Sequence, residues 1–299
     1  MKEYPMTLSE FEDNFCTEAQ CREYILKLRY PNGVYVCPKC GNDKAWNVSE
    51  TIFECSLCAH QSSVIAGTIF QDTHKPLRMW FQAIWYITSQ KSGASALGLQ
   101  RILGLGSYKT AWTWLHKLRR AMVRPDRDKL NGIIEVDEAL FGGVRKGKRG
   151  RGSENKVLGV IAVEINDGEV GRIRVSVVEE ATKENLHSFI KDVVEKGSTV
   201  ITDGWAGYNG ISDEGYKHII EKHSLDNVLP HVHTVVSLIK RWILGTMQGS
   251  ISREYLEYYF DEFTFRFNRR KSKSRGLLFY RLLQNAVLLE PLTYKDVRI

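Results

Sequence analysis

The stretch GIIEVDEALFGG, residues 132–143, places two carboxylates directly after a run of apolar residues. Ile134 and Val136 are typical of a buried β-strand, and the strand is predicted to cover 132–137. It is expected to end at Asp137 and Glu138, although carboxylates are seldom buried without a partner or a task. The sequence therefore predicts a functional site at the end of a core strand.

The residues after this stretch alternate between strand and helix patterns. Further strands are predicted at 157–165, 170–178, 198–202 and 217–220, a helix at 183–195, and another helix beginning near 231. This order predicts an α/β layer fold with a mixed sheet, and it is the order of the ribonuclease-H-like fold. In that fold the first strand and the strand after the first helix are parallel neighbours, which would bring Asp137 and Asp203 together.

Two neighbouring carboxylates indicate a site for hard divalent cations. Oxygen ligands suit Mg²⁺ or Mn²⁺, and a pair of such ions about 4 Å apart can activate both sides of a phosphodiester. The alternative is that each aspartate only caps a turn, as Asp203 could in TDGWAGY. Two aspartates at these positions favour two catalytic ions over two unrelated turns.

A third ligand is expected from a later helix, yet HVHTVVSLIKRWILGTMQGS, residues 231–250, contains no acid. The candidates are His231 and His233, with Lys240 on the same helix face as His233. The alternative for His233 is a local hydrogen bond at the helix start. The stretch DEFTFRFNRR supplies a substitute acid, Glu262, and two candidate phosphate ligands on the same face, Arg266 and Arg269.

Four of the six cysteines form two pairs with two intervening residues. The pairs are Cys37 with Cys40 and Cys55 with Cys58. The N-terminus MKEYPMTLSEFEDNF lacks the basic start and apolar core of a signal peptide, so a cytoplasmic protein is expected. In that compartment the pairs predict one tetrathiolate Zn²⁺ site per chain rather than disulfides. Cys16 and Cys21 have the wrong spacing to join it and are expected to pack in a core.

A helix–turn–helix pattern precedes the predicted sheet. In SGASALGLQRILGLGSYKTAWTWLHKLRRAM, residues 92–122, a glycine-containing turn separates two helical segments. The buried face of the second is predicted to consist of Ala111, Leu115, Leu118 and Met122. Its other face presents Lys109, Lys117 and Arg120, as a recognition helix would in a major groove. An ordinary helical hairpin is the alternative.

Positive charge is concentrated in two segments. The net charge is +7, and residues 145–156 and 266–275 each contain six lysines and arginines. Either segment alone could be a solvated loop, but together with the other features they favour a polyanionic partner. No apolar run approaches the roughly 20 residues of a membrane span, which predicts a protein without a membrane partner.

These motifs together resemble those of a known family. The chain is similar to prokaryotic insertion-sequence transposases of the DDE superfamily, in the ISXO-like group with an N-terminal zinc ribbon. The matching stretches are CPKCGNDKAW, FECSLC, SALGLQRILGLGSYKTAWTWLHKLRRAM, EVDEALFGG, ITDGWAGY, HTVVSLIKRWILGT and DEFTFRFNRR. They cover essentially the whole chain in the family's order.

The resemblance implies a DNA transposase that binds terminal inverted repeats and cuts and joins DNA as a homodimer or higher oligomer. It assigns Asp137 and Asp203 as catalytic acids, with His233 seven residues before Lys240 in place of the third acid. The patterns along the chain predict four segments: a helical lead-in (1–30), a zinc ribbon (31–68), a helix-turn-helix region (69–128) and a ribonuclease-H-like catalytic domain (129–299). The alternatives are a DNA-binding protein that has lost catalysis and a plain metal-dependent nuclease.

Overall fold

The chain, studied as a computed structural model, is described at residues 3–124, 126–142, 156–221, 228–247 and 252–298. It forms two compact units, here called the N-terminal unit (Met1–Arg124 with Ser272–Ile299) and the sheet unit (Pro125–Lys271). The helices are α1 (Leu8–Asn14), α2 (Glu18–Arg29), α3 (Leu77–Ser89), α4 (Ala96–Leu103), α5 (Tyr108–Ala121), α6 (Lys183–Val193), α7 (Pro230–Thr246), α8 (Leu256–Asn268), α9 (Arg275–Leu288) and α10 (Tyr294–Val297). The strands are β1 (Ala45–Asn47), β2 (Ile52–Cys55), β3 (Gln61–Ser63), β4 (Ile133–Phe141), β5 (Val157–Asn166), β6 (Glu169–Val178), β7 (Thr199–Thr202) and β8 (Lys217–Ile220).

The sheet unit is built on a five-stranded mixed sheet in the order β6-β5-β4-β7-β8. The pairs β6–β5 and β5–β4 are antiparallel, whereas β4–β7 and β7–β8 are parallel. Helix α6 connects β6 to β7, which returns the chain to the side of β4 in the parallel direction. The predicted mixed α/β architecture is thus present in this unit.

Helices cover each face of this sheet. Side chains alternate between the faces along a strand, and both faces carry apolar residues that pack against helices. From β4, Ile134 and Val136 pack with α6 on one face. Apolar residues of α7 and α8 cover the other face, to which Phe141 of β4 contributes. Glu135 and Asp137 alternate with Ile134 and Val136, so they point toward the face that carries α7.

The first strand is longer than predicted. Instead of ending at Asp137, β4 continues to Phe141, with Asp137 paired to Ile161 and Phe141 paired to Val157 of β5. The reason is that the neighbouring strand supplies hydrogen-bond partners beyond the point where the apolar pattern stops. Asp137 therefore stands inside a strand and not at its end.

The N-terminal unit combines helices with a small ribbon. An aromatic cluster forms part of its core, in which Phe279 of α9 contacts Phe11, Phe81 and Trp85. The sequence-based division placed 272–299 with the catalytic domain, whereas α9 packs on α2, α3 and α5 of this unit. The contact depends on residues far apart in sequence, which periodicity does not reveal.

Local signals predicted the start of α2 but not the separate helix α1 before it. The predicted N-cap Thr17 begins α2 and forms a reciprocal capping box with Gln20. Cys21 is fully buried, as expected, but Cys16 is exposed and its thiol donates to Gln20 instead of packing in a core. The predicted buried face of α5 is buried throughout: Ala111, Leu115, Leu118 and Met122.

Within the described ranges, no helix has the length and apolar character needed to cross a bilayer. The basic segment 145–156 lies outside the described residues except for Lys156.

Candidate catalytic and metal sites

Asp137 and Asp203 are carried by parallel neighbouring strands. The register pairs Glu135 of β4 with Ile201 of β7, and each aspartate stands two residues further along its strand direction. Asp203 directly follows β7, and its Oδ1 accepts the backbone N–H of Trp205 at 2.9 Å. The strand order therefore brings together two carboxylates that are distant in sequence.

Asp137 lies in a partly buried, negatively charged environment. Its side chain is 15% exposed, and its Oδ1 accepts the backbone N–H of Glu138 at 2.8 Å. Burial, followed by the charges of Glu138 and Asp203, raises the pKa of Asp137 to about 6. A carboxylate whose pKa is raised by burial and by neighbouring acidic charges is a candidate functional group.

His233 lies in the first turn of α7 and approaches Asp137. Its Nε2 is 3.3 Å from Oδ2 of Asp137, and about half of its side chain is exposed to solvent. Two ligands about 2.1 Å from one octahedral cation stand about 3 Å apart, so this separation fits shared coordination of Mg²⁺ or Mn²⁺. An oxygen and imidazole donor set favours Mn²⁺ among the two.

The other histidine of this turn is engaged elsewhere. His231 donates from Nδ1 to Glu135 at 2.6 Å and from Nε2 to the carbonyl of Gly168 at 3.1 Å. The hydrogen bond to Glu135 raises the pKa of His231. Of the two histidines considered as ligands, His233 is therefore the one beside Asp137.

The helix face that continues from His233 is open to solvent. Lys240 is exposed, with its Nζ 5.8 Å from the centre of the Phe141 ring, and Leu244 is 55% exposed. Lys240 was predicted to share the helix face of His233, and that shared face is the exposed one. The opposite face, with Val232, Val236 and Ile239 among its residues, fills the core instead.

Glu262 and Arg266 lie on α8, which packs against the outer strand β6, and Arg269 directly follows this helix. The carboxylate of Glu262 is fully buried and accepts from Nε of Arg266 at 2.9 Å. Arg269 donates to the carbonyl of Phe265 at 3.2 Å, and its guanidinium lies 4.1 Å from the centre of that ring. These interactions give Glu262 a structural partner on its own helix.

Sequence reasoning did not identify two polar residues next to the aspartates. Glu135 is buried beside His231, and Tyr208 donates its hydroxyl to Glu138 at 2.9 Å. The alternation of the strand contained a signal for Glu135, since residues 135 and 137 share a face. No local pattern pointed to Tyr208, which approaches from the segment after β7.

The four paired cysteines come together in the ribbon formed by β1, β2 and β3. Their sulfur atoms lie within 4.8 Å of one another, at 3.7 Å for Cys37 and Cys58 and 3.6 Å for Cys40 and Cys55. A tetrahedral zinc with Zn–S bonds of about 2.3 Å requires sulfur separations of about 3.8 Å. The cluster fits one Zn²⁺, as the sequence predicts.

Helices α4 and α5 follow one another in the chain and are joined by a short turn. The turn begins at Gly104, whose φ of 61° lies in the left-handed region that glycine tolerates. At the start of α5, Lys109 is exposed and its Nζ lies 3.8 Å from the Tyr294 ring centre. Arg120 is exposed near the other end.

Lys117 differs from the sequence-based expectation. Its Nζ donates to the carbonyl of Ile69 at 3.4 Å, and burial lowers its pKa. The prediction treated it as one of three basic contacts on a free helix face. Because part of α5 is covered within the N-terminal unit, Lys109 and Arg120 are the more accessible members of that set.

Comparison with known proteins links both sites to one family. Residues 129–268 match the model of the ISXO2-like transposase domain, and residues 16–61 match the transposase zinc-ribbon domain. The chain is 26% identical over 275 residues to an uncharacterized protein in transposable element ISH50 of Halobacterium salinarum, covering 84% of this chain and 91% of that protein. The cysteine cluster lies in one match and the paired aspartates lie in the other, so the chain carries a transposase zinc ribbon and an ISXO2-like transposase domain.

Proposed function

We propose that the protein is a DNA transposase that binds the terminal inverted repeats of an insertion sequence, cleaves the DNA there and transfers the ends to a target. The observation that carries this proposal is the approach of His233 to Asp137, at 3.3 Å, on β4, whose parallel neighbour β7 leads to Asp203. The family match to a transposase domain supports the same activity.

The catalytic chemistry is assigned to these three residues. Asp137, Asp203 and His233 would hold two Mg²⁺ or Mn²⁺ ions. Bound there, the ions supply activation of a water or 3′-hydroxyl on one side of a phosphodiester and stabilisation of the leaving oxygen on the other. Lys240, two turns along the exposed face of α7, would contact a DNA phosphate and orient the strand.

The sheet topology supports a ribonuclease-H-like catalytic domain. Three antiparallel strands, a helix and two parallel strands in the order β6-β5-β4-β7-β8 are what that fold requires. Glu262 is then a structural partner of Arg266 rather than the third ligand, because its carboxylate is buried against that guanidinium. Arg269 remains a candidate phosphate contact.

End recognition is assigned to the N-terminal unit. Helices α4 and α5 have the order and the short turn of a helix-turn-helix, in which the start of the second helix contacts base edges. We assign Lys109 and Arg120 to DNA contacts, while the zinc ribbon would add a second contact region. Two ends brought together by a homodimer or higher oligomer complete the proposal.

A strand-transfer assay tests the proposal. The substrate is a labelled duplex ending in the terminal inverted repeat that flanks the gene, with supercoiled plasmid as target and Mn²⁺ or Mg²⁺ added. Joined products from the wild type, absent for Asp137→Asn, are expected. Cleavage without joining would indicate a plain nuclease.

One observation favours a second function. The third ligand position holds a histidine, which adds no negative charge to the site, so a catalytically inactive DNA-binding relative of transposases is the second candidate. Tight binding to the ends without cleavage in either metal would support that alternative.

A further inference from the structure

Helix α7 carries His233 but lacks a side-chain cap of its own. Its N-cap residue, Leu229, adopts a left-handed conformation with φ 54°, and Pro230 occupies the first helical position. The backbone N–H of His233 donates to Leu229, while the N–H groups before it have no intrahelical acceptor. The position of this first turn must therefore be fixed from outside the helix.

Glu135 supplies that external contact from β4. Its Oε2 accepts the backbone N–H of Val232 at 2.8 Å, and its Oε1 accepts from Nδ1 of His231 at 2.6 Å. The residue is only 3% exposed. A buried carboxylate thus replaces the missing cap and holds a side chain of the same turn.

The same strand carries Asp137 two residues further on, on the same face as Glu135. Glu135 and Asp137 contact consecutive residues of α7. Glu135 accepts hydrogen bonds from residues 231 and 232, and Asp137 lies beside the imidazole of residue 233. We propose that Glu135 is a positioning residue that sets the distance between His233 and Asp137. This inference rests on the proposed function, in which those two side chains share a cation.

The contact acts through geometry and not through coordination. Both carboxylate oxygens of Glu135 already accept hydrogen bonds from α7. Loss of a partner that orients a metal ligand typically costs about 10-fold to 100-fold in metal affinity. Removing Glu135 should therefore weaken cation binding while leaving the ligands themselves in the chain.

The test measures Mn²⁺ binding by electron paramagnetic resonance of the free ion, together with hydrogen exchange of the first turn of α7. Glu135→Ala should raise the Mn²⁺ dissociation constant about tenfold and speed exchange at residues 232–234. Glu135→Gln, which keeps the shape and one acceptor, should show a smaller change in both. If Glu135→Ala does not fold, Glu135→Gln provides the test in its place.

The control is Glu164→Gln, which alters another buried carboxylate of the same sheet, bound to Arg172 rather than to α7. It should leave Mn²⁺ affinity unchanged. In a His233→Ala background, Glu135→Gln should add no further loss, because its effect passes through His233.

An additional loss in that background, or unchanged Mn²⁺ affinity in Glu135→Ala despite faster exchange, would overturn the positioning role. Binding and exchange are measured without DNA. A wild type that binds Mn²⁺ but does not cleave would therefore contradict the proposed function and leave the test of Glu135 intact.

Discussion

At the scale of single residues, the site combines two carboxylates with one imidazole. Asp137 and Asp203 provide the negative charge. Burial is the main cause that raises the pKa of Asp137 to about 6, and repulsion from the charge of Glu138 adds to it. A divalent cation relieves that repulsion, because it replaces like-charge contacts with attraction. His233 adds a donor atom without adding charge.

The aspartates should be indispensable for chemistry and dispensable for DNA binding. Asp137→Asn and Asp203→Asn should each reduce cleavage and joining below detection, because an amide cannot hold a cation against a phosphate. Gel-shift affinity for the repeat ends should stay within about twofold of wild type, since the proposed phosphate and base contacts lie on other residues. A variant that retains cleavage would remove that aspartate from the metal site.

The imidazole should determine which metal supports activity. His233→Ala should lower the cleavage rate by about 100-fold, the size expected when a reacting group is misplaced. His233→Glu should raise activity in Mg²⁺ relative to Mn²⁺, since a hard oxygen ligand suits Mg²⁺ better. Rates in each metal check this, with Glu262→Gln as the comparison. Full activity of His233→Ala with an inactive Glu262→Gln would transfer the ligand role to Glu262.

At the scale of elements, the zinc ribbon and the sheet unit differ in how much apolar core stabilises them. The zinc ribbon has three short strands and a core formed by little more than Tyr35, Cys37 and Cys55. The sheet unit has two helix-covered faces and does not depend on a metal for its core. The two should therefore respond differently to loss of zinc.

Cys55→Ser should release zinc and unfold residues 31–68. Structural zinc supplies much of the folding energy of such ribbons, roughly 10–16 kcal/mol in isolated zinc-finger peptides. Metal analysis should give about one zinc per wild-type chain and much less for the variant. Hydrogen exchange in β4 and β5 should not change. Exposed Cys16 provides a control, because Cys16→Ser should retain the zinc.

A buried ion pair in the sheet should give an acid-dependent stability. Burial acts to raise the pKa of Glu164, but hydrogen bonds from Arg172 and from the N–H of Asn131 outweigh it and lower the pKa to about 2. Because the folded value lies below the ordinary 4.5, the carboxylate stabilises the fold above that pH and the contribution is lost as pH falls toward 2.

Urea unfolding of wild type and Glu164→Gln checks this. The difference in unfolding free energy should be largest at neutral pH and shrink as pH falls below about 4.5. A difference independent of pH would mean that the glutamate contributes by shape and not by charge.

At the scale of the whole molecule, the excess of positive charge should favour binding to a polyanion such as DNA. The chain has 42 lysines and arginines against 35 acids, with six basic residues between 266 and 275. Phosphate contacts release counterions, and each contact contributes about −0.9 to the slope of log affinity against log salt.

Affinity for the repeat ends should therefore fall steeply with salt. Arg120→Ala should weaken end binding and reduce the magnitude of the slope by about one if Arg120 contacts a phosphate. Fluorescence anisotropy across a salt series measures the affinity and its salt slope. The comparison variant is Lys117→Ala, which changes a half-buried lysine of the same helix. End binding that survives deletion of residues 1–125 would exclude the helix-turn-helix assignment.

The sequence by itself determined the local features of this protein. Cysteine spacing predicted the tetrathiolate cluster, the alternation around Val136 predicted a core strand, and Thr17 predicted a helix start. Each depends on residues close together in the chain, so spacing alone contains the information. The order of elements also predicted that Asp137 and Asp203 lie on parallel neighbouring strands, and β4 and β7 are such neighbours.

Tertiary structure decided what depends on distant partners. The hydrogen bonds of β5 carry β4 past Asp137, α9 joins the N-terminal unit because its aromatic face packs there, and Lys117 is turned toward Ile69. The contact between Glu135 and α7 joins residues almost 100 positions apart, at separations of 96 and 97. No local pattern encodes such pairs, because they form only when sheet order and helix packing place the backbone.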